Sequence, residues 1–319
     1  MPPTAAAIIA RLLLLPAAAR ACSNVIVSPG ASADGSALLG DNDDSGSRHG
    51  LVTHFAAADH APGAQREVYH FETGEYLGSI PQPAHTYNVM AHANDQGLVI
   101  GETTHGGLEV LHQHANSTEY VLDYGSLIHI TLQRAKTARE AVHTIAELTG
   151  EYGYATSMEG FSITDGKEAW YMELVGKGLF GKGIVWVALR VPEGYVTAHA
   201  NQARITTFLP CNNPNTCLAA PDAVTFAIEH GFYNGSAHDP SFSFSDTYDP
   251  VTPTGARFCE ARVWYIFSQI ADPADFDAAF CAFVHLSPCS TPTACSPGWG
   301  ALLRDALLCF VRRSTVRSR

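Results

Sequence analysis

The sequence predicts a layered α+β protein built on antiparallel sheets. Three observations carry that expectation. Short apolar runs separated by Gly, Asn and Ser turns dominate residues 24–101. Helical spacing takes over at 126–148, and paired strand signals return at 161–200. That order is not the alternation of strand and helix expected of a dinucleotide-binding fold.

Each element has its own warrant. Residues 24–28 and 37–40 are apolar runs on either side of Ser-Ala-Asp-Gly-Ser at 32–36, which reads as a hairpin. Residues 87–91 and 98–101 flank Asn-Asp-Gln-Gly at 94–97, a second turn signal. Between 126 and 148, Leu127, Ile130, Ala135, Ala138, Val142, Ile145 and Leu148 make one apolar stripe. Thr137 followed by Glu140 is a capping box, so the stretch is either two helices or one that restarts. Two consecutive hairpins are expected next: 161–164 with 169–174 around Asp165-Gly166, and 184–191 with 195–200 around Pro192-Glu193-Gly194. Pro and Asn thicken at 210–222 and 240–253, which read as surface loops within one domain spanning 22–277.

Composition narrows the function. A chain of 319 residues that is 46% hydrophobic can bury a substantial core. A formal charge of -12 argues against nucleic-acid or anionic-membrane binding, which need clustered Lys and Arg. After residue 21 no apolar run is long enough to span a bilayer, so no stable membrane insertion is expected. Neither His-Glu-x-x-His nor paired Cys-x-x-Cys occurs, and no glycine loop would cradle a phosphate; no metal and no cofactor is expected.

Residues 1–21 are apolar and acid-free and end in Ala-Arg-Ala, the pattern of a secretory signal peptide cut before Cys22. The expected location is therefore the secretory pathway, ending outside the cell or in a lysosome- or vacuole-like compartment. Eight cysteines suit that oxidising route. Cys211 and Cys217 bracket a turn-rich stretch and are the first disulfide expected. Asn116 and Asn234 head glycosylation sequons. An N-terminal Cys22 would carry its own base, because an α-amine titrating at about 7.7 to 8.0 can take the thiol proton. The plain alternative is a cysteine awaiting a disulfide.

Read together, several motifs resemble the cysteine dipeptidases typified by bacterial dipeptidase A, in the N-terminal-nucleophile hydrolase superfamily and related to secernins. They are Cys-Ser-Asn-Val-Ile-Val at 22–27, Asp-Asn-Asp-Asp-Ser at 41–45 and Ile-Gly-Glu-Thr-Thr-His-Gly-Gly at 100–107. Further along come Asp-Tyr-Gly-Ser-Leu-Ile at 123–128, Ala-His-Ala-Asn-Gln-Ala-Arg-Ile at 198–205 and Ala-Arg-Phe-Cys-Glu-Ala-Arg-Val-Trp at 256–264. The resemblance implies an αββα sandwich and a secreted or endomembrane cysteine dipeptidase that cleaves dipeptides through a thioester on Cys22. It allows an oligomer and names no interface.

The resemblance also assigns roles. Asp44 would hold the α-amino group, and Asn201 would donate to the oxyanion. Arg257 would sit near the nucleophile, and Arg204 is a second group able to bind a substrate carboxylate. Asp41 stands where many relatives carry Arg, which removes one aid to thiolate formation. The residues after 277 differ in composition, with Cys281, Cys289 and Cys295 among Ser, Pro and Thr and a basic end. Nothing in 278–319 resembles the family, and the matched part corresponds to about the first three fifths of a typical member. Two other readings stay open: an amide hydrolase of the same superfamily acting on another acyl group, and a truncated, inactive homologue acting as a binding protein.

Overall fold

A computed structural model describes residues 22–44, 50, 52–112, 120–270 and 311–312. The expected leader, Asn116 and the tail apart from 311–312 lie outside the described residues.

In chain order the strands are β1 (Ser23–Val27), β2 (Leu38–Asn42), β3 (His54–Phe55), β4 (Ala58–Asp59), β5 (Gln65–Tyr69), β6 (Tyr76–Pro81), β7 (His85–Thr86), β8 (Val89–Met90), β9 (Ala93–Asn94) and β10 (Val99–Thr104). They continue as β11 (Glu159–Thr164), β12 (Ala169–Gly176), β13 (Ile184–Arg190), β14 (Tyr195–Ala200), β15 (Cys217–Ala219) and β16 (Val311–Arg312). The longer helices are α1 (Tyr124–Arg134), α2 (Ala138–Tyr152) and α3 (Ala261–Ile270).

Two antiparallel sheets face one another. The smaller runs β16-β14-β1-β2, and the larger runs β15-β13-β12-β11-β10-β9-β8-β3. Strands β1 and β2 lie against β10 and β11, α3 covers β1 and β14, and α1 and α2 cover the far side of the larger sheet. This explains why β11 and β12 are buried along their whole length with no alternation, since helices cover one face and the other sheet covers the second.

The first hairpin forms as expected, with Val27 opposite Leu38 and Ser23 opposite Asn42. The helical stretch is two helices. Asp123 caps α1, and α2 restarts after Thr137, whose hydroxyl accepts from the Glu140 N–H at 3.2 Å. Leu127, Ile130, Val142 and Ile145 are fully buried.

Two strand expectations are corrected. Residues 87–91 and 98–101 do not pair with each other, because the short strand β9 lies between β8 and β10. The turn expected at 94–97 does form, between β9 and β10: Asn94 Oδ1 accepts from the Gln96 and Leu98 N–H groups, while its amide donates to the Leu132 and Ala135 carbonyls at the end of α1. The hairpin expected around Pro192-Glu193-Gly194 is absent. β13 pairs with β12 and β15 in the larger sheet, while β14 pairs with β1 in the smaller one. Both edges that such a hairpin would use are taken by strands distant in sequence, so residues 191–194 carry the chain from one sheet to the other.

Candidate active site

Strand register builds the site. Ser23 lies opposite Ala200 on one side and Asn42 on the other. One residue further along, Cys22 meets Asp43 at the end of β2, while β14 turns sharply at Asn201. The Cys22 side chain is 3% exposed, and its thiol donates to the Asp43 carboxylate at 3.4 Å. Glu102 reaches the same point from β10 of the facing sheet; one ligand atom each from Cys22, Asp43 and Glu102 lie within 4.8 Å of one another.

The electrostatics disfavour a thiolate. Burial above all, then the charges of Glu102 and Asp43, push the Cys22 thiol up to about 12, and a hydrogen bond from the Asp44 backbone only partly offsets them. Burial also pushes Glu102 up to about 7 and Glu159 well above the usual carboxyl range, the nearness of Glu102 adding to the second. A thiol and two carboxylates closing on one point form a seat for a positive charge, whether a metal ion or an ammonium.

The sequence-predicted residues fall as follows. The carboxylate at the thiol belongs to Asp43; Asp44 faces the sulfur through its backbone N–H. Asn201 donates its amide to the Thr104 carbonyl at 2.8 Å and accepts from Arg262 at 2.7 Å. Arg204 is ion-paired with Glu260, and its backbone N–H is bound by Glu173. That pairing holds Arg204 as a structural link. The guanidinium of Arg257 lies over the Phe258 ring, 5.4 Å from its centroid. Arg262, which sequence reasoning passed over in the same motif, donates to the Cys22 carbonyl, to Ser23 Oγ at 2.6 Å and to Asn201 Oδ1. Cys211 and Cys217 are disulfide-bonded, and Asn234 is exposed.

Behind Cys22 runs a buried polar chain that sequence reasoning also missed. Asn24 donates to Ser162 at 3.3 Å, and His199 bonds Ser162 and Thr103 at 2.6 Å each. His105 bonds Thr103 at 3.1 Å, and Tyr171 stacks on His199 at 4.3 Å. Burial pulls His105 down to about 3 and His199 well below its ordinary value, so both rings are neutral and serve as packing and hydrogen-bonding groups. A cleft of about 800 Å³ reaches Asp43, the partner of the thiol, and is lined among others by Phe55, Arg66, His70, His92 and His129. His92 reaches Asp41 at 3.3 Å; burial lowers its basicity, but Asp41 outweighs this and leaves it raised.

The Cys22 thiol, just ahead of β1, thus meets one carboxylate, Asp43, which lines the cleft. The model of peptidase family C69 matches residues 21–284. The chain belongs to peptidase family C69. It is 26% identical over 268 residues to a probable dipeptidase of Salmonella dublin, covering 78% of this chain and 58% of that protein. It is 23% identical over 285 residues to a probable dipeptidase A of Streptococcus pyogenes serotype M3, covering 82% of this chain and 58% of that protein. A probable dipeptidase of Latilactobacillus sakei is 24% identical over 265 residues, covering 77% of this chain and 52% of that protein. This C69 chain thus spans a little over half the length of these relatives. The family match begins one residue before Cys22 and includes every site residue described above.

Proposed function

We propose that this C69 chain is a cysteine dipeptidase of the N-terminal-nucleophile type, with the αββα sandwich of that superfamily. Removal of residues 1–21 makes Cys22 N-terminal. Its freed amine takes the thiol proton, the thiolate attacks the scissile amide carbon, and the protonated amine returns a proton to the departing amine. Water then hydrolyses the thioester and regenerates the thiol.

One observation carries this reading: the Cys22 thiol donates to Asp43, which lines the cleft, and Arg262 ties the Cys22 carbonyl to the Asn201 side chain. While the Cys22 nitrogen is part of a peptide bond, burial and two carboxylates keep the thiol protonated. A free amine supplies what is missing, a base beside the sulfur and a cation for the seat made by Asp43 and Glu102. Asn201 carries a second amide hydrogen beyond the one given to Thr104, and that hydrogen is available to an oxyanion. The leader pattern, the Cys211–Cys217 disulfide and the exposed sequon at Asn234 support a secretory route. Among the described residues no helix is long and apolar enough to cross a membrane.

The test is amino-acid release from a dipeptide panel by the secreted chain beside Cys22→Ala, with the N-terminus fixed by intact mass. Hydrolysis that vanishes in Cys22→Ala is the expected result. A folded chain that begins at Cys22 and cleaves no dipeptide would overturn the reading, in favour of another amide substrate or an inactive homologue.

A further inference from the structure

The cleft holds one charge that the reading above leaves unused. Strand β5 alternates as a half-buried strand should: Gln65, Glu67 and Tyr69 face outward while Arg66 and Val68 face inward. An arginine therefore occupies an inward register position, in company that is largely aromatic. Its guanidinium lies over the Phe55 ring, 5.0 Å from the centroid, and Phe71 lines the same cleft. Among the described residues its one hydrogen-bonded partner is the Gln133 side chain at the end of α1. Nε is buried with no partner, and among the described residues no carboxylate pairs with Arg66. Its neighbour Glu67 also lines the cleft but stands on the exposed side of the strand, where the Tyr69 hydroxyl donates to it at 2.7 Å, and it makes no ion pair with Arg66.

Arg66 is half-buried, so its charge is only partly hydrated, and a negative group brought beside it from the cleft would be favoured. Burial, with Arg134 nearby, draws Arg66 down to about 10, which still leaves it fully cationic at neutral pH. A planar guanidinium is shaped for a carboxylate, which it binds through two parallel hydrogen bonds. The cleft thus carries Asp43, the carboxylate that accepts from the Cys22 thiol, at one part of its wall and at another a cation with no ion-pair partner among the described residues.

We infer that Arg66 binds the free C-terminal carboxylate of the substrate and thereby selects dipeptides over longer or blocked peptides. The inference rests on the dipeptidase reading and deepens it. In a dipeptide the carboxylate lies one residue beyond the scissile amide. A cation fixed in the same cleft therefore rewards a chain that ends there, and a further residue or an amide cap would leave the guanidinium unpaired. Arg204, which pairs with Glu260, is not needed for this task.

The experiment compares alanyl-alanine with alanyl-alaninamide, using the secreted chain, Arg66→Met and Arg66→Lys. The wild-type chain should favour the free acid about 100-fold in kcat/KM, in line with a desolvated charge pair. Arg66→Met should lose that preference by slowing the free acid about 100-fold and changing the amide less than about threefold. Arg66→Lys, which keeps the charge without the planar fork, should fall between. A preference that survives in Arg66→Met, a wild-type chain with no preference, or an equal loss on both substrates would overturn the inference while leaving the dipeptidase reading standing. A wild-type chain that cleaves neither compound would instead overturn the dipeptidase reading, and the inference with it. Thermal melts of the variants exclude unfolding as the cause of a loss, and Arg66→Lys, which keeps a donor for Gln133, is the control for the contact that Arg66→Met removes.

Discussion

The Cys22 thiol donates to the Asp43 carboxylate at 3.4 Å across two strands whose register sets residue 22 opposite residue 43. The neighbouring Asp44 meets the sulfur with its backbone N–H, and a side-chain change does not remove that group. Asp43→Asn should therefore lower kcat/KM of the processed chain on a dipeptide by about 10- to 100-fold, the scale of one charge-assisted hydrogen bond. Asp44→Asn should stay within about threefold. Steady-state kinetics on one dipeptide decides it, and equal or reversed effects would remove Asp43 from the site.

Glu173 on β12 is a buried acid whose titration is linked to folding. It accepts from the Tyr171 hydroxyl and from the Arg204 and Ile205 N–H groups, but burial outweighs them and pushes its carboxyl from 4.5 up to about 7. The folded protein thus holds this proton more tightly than the unfolded chain does. The contribution is fully present below about pH 4.5 and is lost as pH rises through about 7. The stability of the wild type relative to Glu173→Gln should accordingly fall by roughly 3 kcal/mol over that window. Urea titrations at its two ends test the sign, and a difference that stays flat or grows with pH contradicts it.

Ala91 lines the cleft in a conformation that glycine prefers, with φ of 50° in the two-residue link between β8 and β9. The left-handed region costs a side chain about 1 to 2 kcal/mol, against about 0.5 to 1 for the extra chain entropy of glycine. Ala91→Gly is expected to stabilise the protein by roughly 0.5 to 1 kcal/mol. Chemical denaturation would show a raised midpoint at unchanged slope. A lowered midpoint would mean that the Ala91 methyl contributes packing worth more than its strain.

The hairpin at 23–42 was readable because its turn and both strands are contiguous. Its register was not readable, because ten residues at 28–37, with a helical turn at Pro29–Ala31, separate the paired strands, and that register is what distinguishes Asp43 from Asp44. The break between α1 and α2 was readable for a similar reason, since Thr137 and Glu140 act locally. What escaped depended on partners far along the chain. Pro-Glu-Gly at 192–194 looks the same whether the chain turns back on itself or crosses between sheets, and the outcome is set by β15 and β1 claiming the edges. Arg257 and Arg262 share one motif, and five residues turn a regular helix by about 140° beyond a full turn. Only the contact of α3 with β1 and β14 distinguishes them. Arg66 sits in a five-residue strand, too short for its inward register to stand out from sequence alone.

The crossing at 191–194 has a further consequence. Cys22 belongs to one sheet and Glu102 to the other, and the chain passes between those sheets over only four residues. The hairpin alone could bring residue 43 to the sulfur, but it could not bring residue 102. Sliding of one sheet over the other by a single residue would carry Glu102 about 3 Å along its strand and dismantle the charge seat. The reactive centre is in this sense a gauge of inter-sheet alignment, complete only after the two halves of the sandwich have met.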